Sequence, residues 1–278
     1  MSTFIDLFSY DFFVHAFWAS LFSAISCGLI GTYIVSRRIV FISGGITHAS
    51  FGGIGIGYFL GLNPLLGAAV FSVLSALGIQ FFTQKGKLRE DSSIAIWWSL
   101  GMAVGVIFIY LSPGYAPNLM SYLFGSILTV STGEIWLMAA LSTVLITFFL
   151  IMYRTILYVA FNEEFAKATG LPVNQINYLL ISLIAITIVL NIRVVGIILI
   201  LSLLTVPQAT ANLFTNDFKR MMLLSVGFAF LGSFSGLLIS FFADIPSGAS
   251  IIFTLVILFG FMKWLSIILI KRQKATIP

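Results

Sequence analysis

Arg37-Arg38-Ile39-Val40-Phe41-Ile42-Ser43-Gly44-Gly45-Ile46-Thr47-His48-Ala49-Ser50-Phe51-Gly52-Gly53-Ile54-Gly55-Ile56-Gly57 is the stretch whose reading decides the fold. Two adjacent cations mark the edge of a membrane, and a glycine-rich apolar helix carrying one histidine follows. Taken every fourth residue from Gly45, the row is Gly45, Ala49, Gly53, Gly57 and Gly61, all small. Inside lipid no hydrophobic drive pulls helices together, so close van der Waals contact across small side chains takes its place. A second row, one position earlier, is Gly44, His48 and Gly52. An imidazole in a membrane span is costly unless it faces a partner or a water-filled path, so His48 is a functional candidate and its helix is expected to line a route.

Working outward, the composition agrees. The chain has 278 residues, 60% hydrophobic and 8% charged, and a mean hydropathy of +1.11. Long uncharged stretches recur along its whole length, which describes one polytopic, all-α transmembrane bundle over residues 1–278. The single cysteine, Cys27, lies within the first long span, so an intrachain disulfide is excluded. Val14 to Val35 is too long for the core of a cleavable signal peptide. The excess of Lys and Arg points to cytoplasmic loops rather than to nucleic acid.

Nine spans are expected, at Val14–Val35, Ile42–Leu60, Leu65–Phe82, Ser93–Leu111, Ile135–Tyr153, Ile176–Asn191, Gly196–Phe214, Met221–Phe242 and Ala249–Ile270, with eight as the alternative count. Each is about long enough for a hydrocarbon core of ~30 Å. Asn118–Ser131 is apolar but short, and reads as a re-entrant or interfacial helix. In this arrangement Arg37-Arg38, Lys85 to Arg89, Arg154, Lys167, Lys219-Arg220 and Lys271 to Lys274 share one side, while the other keeps only Arg193 with Asp6, Asp11, Glu134 and Asp244. By the positive-inside rule the first side is cytoplasmic.

The longest cytoplasmic connection, residues 154–175, contains a short helix by its own signals. Asn162 is a suitable N-cap, Glu163 and Glu164 complement the helix start, and Gly170 with Pro172 ends it. So short a helix is marginal alone in water. It is expected to be held by a soluble partner, the alternative being a helix lying on the membrane. The chain carries no phosphate-cradling Gly-x-x-x-x-Gly-Lys-Ser/Thr motif, and no Asp or Glu lies within a span to relay protons. It is therefore not expected to be an enzyme. Energy for uphill movement must come from another subunit. His15, the other histidine, sits near the end of the first span and reads as interfacial.

Several blocks in order resemble the membrane subunit of a metal-ion ABC importer, the zinc/manganese/iron permease family. They are Arg37-Arg38 with Ser43-Gly-Gly-Ile-Thr-His-Ala-Ser-Phe-Gly-Gly53, Glu90-Asp-Ser-Ser-Ile-Ala-Ile96, Tyr122-Leu-Phe-Gly-Ser-Ile-Leu128 and Glu164-Phe-Ala-Lys-Ala-Thr-Gly170. Val195-Gly-Ile-Ile-Leu199, Pro207-Gln-Ala-Thr-Ala211 and Asp244-Ile-Pro-Ser-Gly248 complete the set. The resemblance covers almost the whole chain. It implies an inner-membrane homodimer with the translocation path on or near its axis, two cytoplasmic ATPase subunits, and a periplasmic or lipid-anchored metal-binding protein. Lipid surrounds it, and no nucleic acid or permanently bound cofactor is implied. The segment Asn162, Glu163, Glu164, Ala166, Ala168 and Gly170 would be the coupling helix, with Ala166 and Ala168 in the ATPase groove.

Members of this family commonly carry an aspartate four residues before the histidine, where this chain has Gly44. Positions i and i+4 share a helix face, so only the imidazole of the usual pair remains. His48 is then the expected metal contact, with hydroxyls of Thr47 or Ser50 completing the shell. Imidazole favours zinc, and manganese and iron stay open. Asp244, at an external turn, would steer the cation or shape the turn. The rival readings are an importer of iron chelates or cobalamin, and a stand-alone secondary transporter.

Overall fold

The computed structural model describes residues 4–113 and 119–275, so Asn118 lies outside the described residues. Thirteen α-helices follow a short 3-10 turn at Phe4–Ser9, and no strand occurs among the described residues. In chain order they are α1 (Asp11–Arg37), α2 (Val40–Phe59), α3 (Pro64–Gln84), α4 (Glu90–Leu111), α5 (Leu119–Phe124), α6 (Thr132–Ile151) and α7 (Tyr153–Phe161). The second half contains α8 (Glu163–Ala168), α9 (Val173–Val195), α10 (Ile200–Leu203), α11 (Val206–Asn212), α12 (Phe218–Ala243) and α13 (Ser247–Ala275). Eight of these, α1, α2, α3, α4, α6, α9, α12 and α13, are long and apolar enough to cross a membrane.

The expected span Gly196–Phe214 is not one helix. It divides into α10 and α11 with a break at Leu204–Thr205. Pro207 supplies the physical cause: it lacks an amide hydrogen and is tolerated only in the first turn of a helix, where α11 places it. The segment still runs from one end of the bundle to the other. Gly196 meets Leu123 and Gly125 at one end, and Phe218, just past the other end, packs near Tyr153 and Phe161.

Small and hydroxyl side chains form the seams between helices. Gly28 of α1 lies against Val226 of α12, and Thr32 meets Ser225 at 3.4 Å. Gly236 of α12 faces the Ile251 backbone of α13, and the Ser250 hydroxyl donates to the Gly236 carbonyl at 2.8 Å. Several hydroxyls donate to the carbonyl three or four residues earlier in their own helix, as Ser20, Thr32 and Ser182 do, which satisfies them without a partner helix. The first and last pieces of the polar core are joined by Gln208, whose Nε2 donates to the Cys27 carbonyl at 2.8 Å, and by Asn191, whose Nδ2 donates to the Ser26 hydroxyl at 3.1 Å.

The segment between α4 and α6 does not span. α5 and a 3-10 turn at Ile127–Thr129 dock against the end of α9. α4 begins at Glu90, and Asp91 accepts from the Ser92 amide at 2.8 Å inside its first turn.

Candidate functional site

α2 is the most enclosed of the long helices, with 78% of its central window buried against 17% for α4. Its glycines explain how. A methyl group at Gly52 would lie 2.8 Å from the Gly101 carbonyl of α4, and one at Gly55 2.5 Å from the Gly105 carbonyl. At Gly53 it would strike the carbonyl of Gly67 in α3, and at Gly57 it would lie 3.0 Å from the Pro64 Cα. The row Gly45, Ala49, Gly53, Gly57, Gly61 does not stay on one face. At 3.6 residues per turn it drifts by about 40° per step. Gly45 and Ala49 meet Ile94 and Gly101 of α4, Gly53 and Gly57 meet α3, and Gly61 lies beyond the helix in a left-handed turn at φ +66° with nothing near it.

His48 is half-buried midway along α2, and its ring stacks on Trp98 of α4, with centroids 4.2 Å apart and planes 5° from parallel. Nothing in the sequence marks Trp98 as a site residue, because spacing within one helix does not reveal a stack across two. Thr47 and Ser50 are buried and point away from a shared shell. Thr47 donates to the Ser43 carbonyl at 2.6 Å, and Ser50 to the Thr47 carbonyl at 2.5 Å. Gly44 behaves unlike its neighbours, since a methyl group there would meet only Leu201, at 3.8 Å. Among the described residues no three His, Cys, Asp or Glu side chains gather to hold a metal within one protomer.

The basic end of the bundle holds the short helix expected from the sequence. Asn162 caps α8 by accepting from the Phe165 amide at 2.9 Å, and Gly170 closes it at φ +79°. Burial alone would raise the Glu163 carboxyl. The hydrogen bond from Lys167, at 2.9 Å, and the charge and hydrogen bond of Arg37 outweigh it and hold the group below the usual glutamate value. Of the two alanines expected to face a partner, only Ala168 is open; Ala166 is wholly buried against its own chain. The open face is aromatic as well as charged, with Phe165 50% and Phe161 61% exposed beside Glu164.

At the opposite end three separated stretches meet. The amides of Ile197 and Ile198 donate to the carbonyls of Tyr122 and Leu123 at 2.9 and 3.2 Å, and the Ile127 amide donates to the Ser247 hydroxyl at 3.2 Å. Gly248 fits against the carbonyls of Phe124 and Val195. Arg193 pairs with Glu134 at 2.8 Å and lies over the Tyr122 ring. Asp244 is exposed in the left-handed turn that ends α12, at φ +53°. His15 sits here too, 3.4 Å from the Thr132 hydroxyl.

Residues 9–266 match the model of the ABC 3 transport family. The chain belongs to that family. It is 41% identical to an uncharacterized membrane protein of Synechocystis, over 89% of this chain and 88% of the other. It is 33% identical to a manganese transport system membrane protein of Halalkalibacterium halodurans, over 92% and 88%. Among solved structures it is similar to the PsaBC complex of Streptococcus pneumoniae, with a TM-score of 0.84 and 32% identity over 93% of this chain and 94% of that one.

In this ABC 3 permease, sequence blocks that are weak singly prove to be neighbours in space. Tyr122–Leu128, Val195–Leu199 and Asp244–Gly248 meet at one end, and α8 and Arg37 meet at the basic end. Separation in the chain hid both assemblies.

Proposed function

We propose that this chain is the transmembrane subunit of an ATP-driven importer that carries a divalent transition metal across the inner membrane by alternating access. Manganese is the first candidate. Family membership supports the transporter reading, and relatives named as manganese transport proteins support the metal. The observation that carries the site is His48, a single imidazole held flat on Trp98 at a lightly packed face of an otherwise tightly packed helix. With no second soft ligand beside it, the shell is completed by water and by the same face of a second copy, and an oxygen-rich shell suits manganese better than zinc. Zinc, favoured from imidazole chemistry alone, is thereby the second candidate.

The ATPase contact is assigned to α8 and its surroundings. Exposed Phe161 and Phe165 beside Glu164 and Ala168 form an apolar patch with a charged rim, at the end where the bundle carries its excess of cations. Homodimerisation, the metal-binding protein and the external steering role of Asp244 belong to the same proposal. Radiolabelled Mn2+ uptake into proteoliposomes holding permease, ATPase and binding protein tests it, with Zn2+ as competitor. Uptake that needs ATP and all three components is the expected result. Uptake by the permease alone, or preference for Zn2+ over Mn2+, would overturn the mechanism or the metal respectively.

A further inference from the structure

Arg37 ends α1 and ties four elements together. Its Nη1 donates to the Val159 carbonyl of α7 at 2.8 Å, to Asn177 Oδ1 of α9 at 3.1 Å and to the Tyr33 hydroxyl at 3.4 Å. Its Nη2 pairs with Glu163, the first residue of α8. Beside it lies a cavity of about 50 Å³, lined by Arg37, Tyr33, Gln80, Asn177 and Glu90 among others. Glu90, the first residue of α4, lines this space together with Arg37, yet it makes no ion pair among the described residues.

We propose that Arg37 is a two-position latch: its guanidinium holds Glu163 at the coupling helix in the state seen here and crosses the cavity to Glu90 of α4 in a second state. Three features support the exchange. Glu163 keeps a second cation, Lys167 at 2.9 Å, so its carboxylate is still paired when Arg37 leaves. The guanidinium passes from one carboxylate to another and is never left buried without an anion, which would be strongly destabilising. The cavity is large enough for a side-chain head or a few water molecules, so the guanidinium has space to move into.

The consequence reaches the metal path through the chain itself. Arg38 follows in a left-handed conformation at φ +63°, and α2 begins at Val40, eight positions before His48. A shift of Arg37 therefore turns the elbow that sets α2 against α4, the helix that carries both Trp98 and Glu90. A latch with two discrete partners is the kind of bistable element that converts a small motion at one end into a change at a distant site.

This inference rests on α8 being the ATPase contact. Its test is Glu90→Gln in the complete complex, reconstituted in proteoliposomes, with Mn2+ uptake and ATP hydrolysis measured together. The complex should assemble and hydrolyse ATP, while the ATP consumed per Mn2+ imported rises by at least about fivefold, the lower range of typical coupling between sites. Glu90→Asp, which keeps the charge, should recover part of the coupling. A purely structural role for an exposed carboxylate would leave that ratio unmoved. An unchanged ratio in Glu90→Gln, or an equal fall in uptake and hydrolysis, overturns the latch while leaving the ATPase contact standing. Assembly that survives disruption of the exposed α8 face overturns the contact itself.

Discussion

The two faces of α2 are built on opposite rules. Toward α3 and α4, Gly52, Gly53 and Gly55 bring backbones to contact, and any side chain would force them apart. Gly44 instead has room to spare beside Leu201 of α10, and one turn further His48 rests only partly buried on Trp98 of α4. Glycine thus means close packing on one face and the absence of a side chain on the other. The tight face holds the helix rigid, so that the loose face can present an imidazole at a fixed place.

The contrast is broken most severely at Gly53. Gly53→Leu should cost more than about 3 kcal/mol, because a side chain there meets backbone that cannot yield, and folded protein should disappear from size-exclusion chromatography in detergent. Gly67→Leu, from the opposing side, should do the same. If both variants fold normally, the close face is not the rigid one.

The next largest effect separates Ala166 from Ala168. Ala166→Arg places a cation in a fully buried position and should melt α8 and lower the stability of the permease itself. Ala168→Arg should leave the permease as stable as before and remove the ATPase in co-purification. Equal behaviour of the two would mean that the surfaces of α8 are not distinct.

On the loose face, His48→Ala should abolish Mn2+ uptake while the folded complex persists, as read from co-purification and transport in the same preparation. Unchanged transport would reduce the imidazole to a packing partner of Trp98. Gly44→Ala should fold at least as well as the parent, with a gain of up to about 1 kcal/mol from helix propensity. Gly44→Asp should restore a carboxylate one turn from the imidazole and slow release of the ion. A large loss of folded protein in Gly44→Ala would show that both faces are equally tight.

The smallest effect concerns pH at the basic end. Glu163 is held below the ordinary glutamate value, so its pairing with Arg37 and Lys167 contributes fully above about pH 4.3, the unfolded value, and fades as pH falls through the lower folded value. Thermal stability between pH 5 and 8 should therefore show no step that Glu163→Gln removes.

Much of this molecule was legible from residue order alone. Apolar length and the placement of Lys and Arg determined an all-helical membrane bundle, because spans must satisfy their own backbone and cations avoid lipid. Asn162, Gly170 and Pro172 delimited α8 because capping is a local matter. Pro207 is a helix-breaking residue of the same local kind, but only the folded chain shows that the expected span Gly196–Phe214 divides into two short helices. What folding alone decided is which groups meet across large separations. The stack of His48 on Trp98, the burial of Ala166 but not Ala168, the division of the small-residue row between α3 and α4, and the four bonds of Arg37 all depend on how helices rotate and cross. Sequence spacing describes one helix at a time, whereas a contact between helices is set by the simultaneous packing of all of them.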